Sequence, residues 1–197
     1  MKATEDIEKN DNKSYNEDAN IGGLETYPKK HQGAIIDHLN KAPNECKKAW
    51  NSVCNNFKTI TGKEYKEKTG KKANCAFYSP FVDAVCLNIS KVTKGSSINT
   101  AYQTVFHEFG HQMDYISEYS LIARGNISDM FESIMTITDY PFGAGHGSKY
   151  WTSRNNGKEG FAEMYSAKVN NPESWEAIQK YFPESIKIFD EILKVVE

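Results

Sequence analysis

The sequence predicts an α+β domain, a small sheet set against a mainly helical chain. Three observations carry this. Two short apolar runs, Asn74–Ser79 and Ala84–Ile89, flank a Pro80-Phe81-Val82-Asp83 turn and read as a pair of strands. A longer stretch, about 98–116, has apolar residues at helical spacing. Towards the C-terminus, Asn171-Pro172 and Phe182-Pro183 each open a helix with proline at its first position. The chain of 197 residues, with 39% hydrophobic and 12% aromatic residues, is long enough for one domain with a real core.

In chain order, residues 1–20 are polar with one isolated Ile7, bury too little to order themselves, and are expected to be disordered. Residues 28–42 read as a short helix with Ile35, Ile36 and Leu39 on one side. Pro43-Asn44 ends it, with Asn44 as the expected cap of a second helix over 45–57. The Lys/Glu-rich stretch 58–72 reads as a solvated hairpin or loop. Gly95-Ser96-Ser97 caps the helix at 98–116, whose core face is Ile98, Tyr102, Val105, Phe109 and Ile116. A helix is expected over 127–137, a glycine-rich loop over Pro141–Gly147, and a helix over about 158–169. The last helix turns Ile186, Phe189, Leu193 and Val196 inward. The expected organisation is thus a tail (1–20) and a single domain (21–197), with an N-terminal lobe to about 116 and a helical lobe from about 117.

Composition excludes several functions. The formal net charge is −2, with no basic cluster for nucleic acid or anionic lipid. No stretch approaches the roughly 18 apolar residues of a membrane span. No apolar signal region follows Met1, so a cytoplasmic or virion-associated protein is expected if Met1 is the native start. Cys46, Cys54, Cys75 and Cys86 form no Cys-x-x-Cys pair, which argues for free thiols over a cysteine metal site.

The chemistry is concentrated in His107-Glu108-Phe109-Gly110-His111. Histidines four apart on a helix share a face and can reach one metal ion, and Glu108 then lies beside that metal as a base. A surface helix with two solvated histidines carries the same letters. The histidines, however, stand on a polar face with Thr100, Thr104 and Asp114, off the apolar stripe, which argues against core histidines. Gly110 costs about 1 kcal/mol relative to alanine inside a helix, and a close backbone approach would account for it. A catalytic zinc site takes three protein ligands and one water. The three-histidine pattern needs a glycine and a histidine where Asp114 and Ser117 stand. His146, in the glycine loop, is one candidate third ligand. Glu159, with Glu163 one turn later on the same face, is the other. In the latter case Glu163 accepts the free ring N–H of a ligating histidine.

HEFGH, GHGSKYW (145–151), EGFAEMYSA (159–167) and YFPESIKIFDEI (181–192) together resemble the gluzincin peptidases related to the anthrax lethal factor catalytic domain. Clostridial Pro-Pro endopeptidases share the scheme, and the metallopeptidase domains of phage and integrated-element minor head proteins look closest. The resemblance covers roughly 74–197. It implies a zincin-like fold and one Zn²⁺ per chain on His107, His111 and Glu159. Glu108 is then the general base acting on a zinc-bound water, and Glu163 the outer partner, most naturally of His107. The tyrosine that steadies the oxyanion in that family has Thr152 at its usual position here, leaving Tyr150 or His146 for the role. The implied function is a zinc endopeptidase acting on a protein or peptide, with the substrate lying along an edge strand near 84–90. The alternative is a non-catalytic zinc-containing phage head or assembly protein, with phage structural proteins as partners.

Overall fold

The computed structural model describes residues 18–73, 76–87, 92–95, 99–120 and 156–195; the side chains of 26, 115–120, 156–158 and 195 are left aside. Within these residues the fold is α+β and mostly helical. Seven α-helices accompany a three-stranded mixed sheet: α1 (Lys29–Lys41), α2 (Asn44–Val53), α3 (Gly62–Thr69), α4 (Gln103–Ser120), α5 (Asn156–Asn170), α6 (Pro172–Tyr181) and α7 (Pro183–Val195). The strands are β1 (Thr59–Thr61), β2 (Phe77–Ser79) and β3 (Ala84–Leu87), in the order β1-β3-β2. No helix among the described residues is long and apolar enough to cross a membrane.

The expected β2–β3 pair is antiparallel, with Tyr78 opposite Val85 and Ser79 opposite Ala84. Its turn is closed by Val82 N–H donating to the Ser79 carbonyl at 3.2 Å. β3 is the central strand, because β1 pairs with it in parallel on the other side. Among the described residues the edge strand on the hairpin side is therefore β2, and Ala84–Leu87 is central. The Lys/Glu stretch also differs from expectation. Residues 62–69 form α3, started by a capping box in which Thr61 Oγ1 accepts from Glu64 N–H and Glu64 accepts from Thr61 N–H. Gly70, at φ 73°, ends it in the left-handed conformation that glycine adopts without penalty.

Three further boundaries move. α2 is capped by no side chain; Asn44 is its first residue and Pro43 precedes it. α4 starts at Gln103 rather than 98, after Tyr102 takes φ 66°. It runs on to Ser120, past the expected end at 116, and one apolar core extends from Leu24 to Leu193. Residues 18–20 of the expected tail are tied down, with Ala19 N–H donating to Asn40 and Asn20 N–H to Asn51, both at 2.8 Å. The helix expected at 127–137, the loop at 141–147, residues 1–17 and Cys75 lie outside the described residues. Cys46, Cys54 and Cys86 are buried free thiols.

The core positions α4. Phe109, the middle residue of HEFGH, packs against Trp50 (ring centroids 4.5 Å apart), Phe57 (5.1 Å) and Tyr165 (5.2 Å). All four rings are essentially fully buried, and the Tyr165 hydroxyl donates to the Cys46 carbonyl at 2.9 Å. Such aromatic pairs add about 0.5–1.5 kcal/mol each beyond area burial. On the α5 side, Lys168 pairs with Glu45 of α2 (2.9 Å) and Asp190 of α7 (2.8 Å), joining three helices.

α4 and α5 run antiparallel. Gln103 meets Asn171 at one end and His111 meets Glu159 at the other. Between them the backbones nearly touch: a Cβ on Gly110 would lie 2.6 Å from Ala162 Cα and 3.1 Å from its Cβ. This is the close approach that the sequence suggests at Gly110. We predict that Gly110→Ala lowers the melting temperature although alanine is the better helix former by about 1 kcal/mol, since overpacking costs about 1–3 kcal/mol. Gly33→Ala, where a Cβ meets nothing within 4 Å, is predicted to raise it. Thermal melts of both variants check the pair; a Gly110→Ala protein as stable as wild type contradicts the packing.

Candidate metal centre

The histidines and glutamates stand where α4 and α5 face each other. His107 and His111 are one turn apart on α4, and Glu159 and Glu163 one turn apart on α5. The antiparallel register sets His107 beside both glutamates. Glu159 Oε2 lies 3.0 Å from His107 Nε2 and 3.3 Å from His111 Nε2. The two Nε2 atoms are 3.0 Å apart. The other ring nitrogen of His107, Nδ1, lies 3.1 Å from Glu163 Oε1.

This donor set fits a metal ion. Ligands about 2.0–2.1 Å from a tetrahedral zinc stand roughly 3.3 Å from one another. The three edges found, 3.0, 3.0 and 3.3 Å, approach that triangle. His107, His111 and Glu159 can therefore hold a cation. Glu163 on Nδ1 then fixes the ring orientation and leaves Nε2 as the donor.

The site is buried. His107 is 8% exposed, Glu108 6%, Glu159 9% and Glu163 3%. The solvated-face explanation for the glutamate pair is thereby removed. α5 presents no polar outer surface here, since Phe161, Ala162, Met164 and Tyr165 are all fully buried as well. Burial, the largest influence on His107, pushes its pKa down. Glu163, by charge, and the contacts to Glu159 and Glu163 outweigh it, with help from Glu108, and hold the imidazole well above its ordinary value.

Glu108 is held by the sheet. Its Oε2 accepts the main-chain N–H of Tyr78, on β2, at 2.6 Å. At the far end of the helix pair, Asn171 Nδ2 donates to Gln103 Oε1 at 2.7 Å and Thr100 Oγ1 donates to Asn170 Oδ1 at 2.6 Å. Gln112, beside His111, ties α4 to the entry of β1: its Nε2 donates to the Asn56 carbonyl (2.8 Å) and its Oε1 accepts from Lys58 N–H (3.3 Å). These supports were not anticipated. The Asn171 cap was visible as Asn-Pro, but its partner Gln103 was not. Tyr150 and His146, the candidate oxyanion groups, lie outside the described residues. No protein-family model and no curated protein matches the chain.

The raised His107 pKa has a defined consequence. A folded-state value above the unfolded one, about 6.5, contributes stability that is complete below that unfolded value and is lost as pH rises through the folded one. Metal binding must expel the same proton. Metal binding is therefore expected to release a proton from His107, and affinity is expected to weaken as pH falls. Calorimetry in buffers of different ionisation enthalpy measures this; binding without proton release contradicts it. Glu159→Ala is expected to lose at least about tenfold in zinc affinity, and Glu163→Ala about 10–100-fold, the range found for outer partners of metal ligands.

Proposed function

We propose that the protein is a zinc-dependent endopeptidase of zincin-like fold, with His107, His111 and Glu159 as metal ligands. The observation that carries the reading is a buried acid, Glu108, which follows the first histidine of a three-donor set and acts on its imidazole by charge. Structural zinc sites are closed by four protein ligands, whereas catalytic ones have three and admit water. A purely structural site has no use for a carboxylate base beside the metal.

His107, His111 and Glu159 would hold the zinc, which would supply Lewis acidity and a water of lowered pKa, about 7. The chain does the rest. Glu108 takes the proton of the attacking water and passes it to the departing amine as the C–N bond breaks. Glu163 steadies His107 throughout. β2, the edge strand whose amide reaches Glu108, is the element beside which an extended peptide lies. Tyr150 is the proposed oxyanion donor, with His146 the other candidate.

Glu108→Ala is expected to retain zinc at one equivalent while cleavage of a diverse peptide library falls by about 10²–10⁴-fold. A chelator is expected to abolish wild-type cleavage and added zinc to restore it. Peptide mapping by mass spectrometry reads the result; cleavage that persists in Glu108→Ala, or that ignores the chelator, rules the mechanism out.

A further inference from the structure

We infer that the main-chain amide of Tyr78 is the positioning group for Glu108, so that the edge strand itself aims the base. This rests on the reading of Glu108 as the base.

Glu108 is 6% exposed, and a carboxylate so withdrawn from water needs a donor. The described donor is an amide of the sheet, 2.6 Å away, within the range of charge-assisted bonds. The supply of that amide follows from topology. In the order β1-β3-β2, β2 is an edge strand among the described residues, and its Tyr78 amide turns from the ladder to the neighbouring helix. With Oε2 anchored, rotation of the carboxylate is restricted and Oε1 is left for the reaction.

The strand is in turn held in place. Tyr78 stands opposite Val85 in the ladder. The turn after it ends in Asp83 at φ 44°, a conformation that side chains other than glycine, asparagine and aspartate adopt at a cost. Lys58 Nζ pairs with Asp83 Oδ2 at 2.6 Å, and the Tyr78 hydroxyl donates to Asp83 Oδ1 at 3.3 Å. A main-chain donor in a short strand held by its ladder partner and by the turn that follows moves less than a side-chain donor, which suits a group that must orient a base.

Two measurements test the inference. The first is hydrogen exchange at the residue 78 amide in the metal-free protein. Its exchange is expected to be at least about tenfold faster in Glu108→Ala than in wild type, as loss of a hydrogen bond to a charged group implies. The second compares Tyr78→Pro with Tyr78→Ala. Both lose the ring and hydroxyl, but only proline lacks the N–H, and an edge position tolerates it. With a random fluorogenic peptide library as probe, kcat is expected to be about tenfold or more lower in Tyr78→Pro than in Tyr78→Ala, with KM and zinc affinity alike in the two. Equal kcat in the two variants, or equal exchange at amide 78 in wild type and Glu108→Ala, overturns the inference. If wild type cleaves nothing, the peptidase reading falls instead, while exchange still decides whether the amide holds Glu108. The exchange arm likewise stands if Tyr78→Pro does not fold.

Discussion

The contact of Gly110 with Ala162 is the constraint on which the site depends. A hydrogen in place of a side chain lets α4 and α5 approach until Ala162 Cα fills the space a Cβ would take. At that separation side chains one turn apart on each helix meet across the interface. His107 then reaches Glu159 and Glu163 together, and His111 reaches Glu159. A wider crossing would admit a side chain at 110 and separate the donors. The cost of glycine in a helix, about 1 kcal/mol, is thus offset by an arrangement no other residue permits.

The same pentapeptide serves two environments. Phe109 enters the aromatic cluster of Trp50, Phe57 and Tyr165, which fixes the rotation of α4 about its axis. With that rotation set, His107 and His111 turn to α5 and Glu108 to β2. The polar side is electrostatically expensive. Glu108, Glu159 and Glu163 are all withdrawn from water around His107. Buried charges of one sign are tolerated only with compensation, and a protonated imidazole supplies one positive charge where a divalent cation supplies two. The excess of acid over base in so small a volume is the physical argument for a metal.

Much of this was readable from the residues. The i,i+4 spacing of His107 and His111, and of Glu159 and Glu163, survives folding because helical periodicity is local. The prolines that open α6 and α7 act equally locally. Other features were not so accessible. The Lys/Glu composition of α3 is polar all round and so suggests a hairpin or loop, yet the Thr61-x-x-Glu64 box that starts the helix is present in the letters. β1 is three residues long, too short for alternation to show, and its parallel pairing with β3 depends on tertiary packing. The late start of α4 follows from Tyr102 at φ 66°, which no propensity signals. The donor to Glu108 is a main-chain amide, and a group every residue but proline carries leaves no mark in a sequence.

The central claim is an open site with two imidazoles and a carboxylate. X-ray absorption at the zinc edge, on protein loaded with one equivalent, addresses it without reference to activity. Two imidazole nitrogens at about 2.0–2.1 Å are expected together with oxygen donors at about 2.0–2.2 Å, with loss of this signature in Glu159→Ala. Sulfur at about 2.3 Å, or an unchanged spectrum in Glu159→Ala, would contradict it.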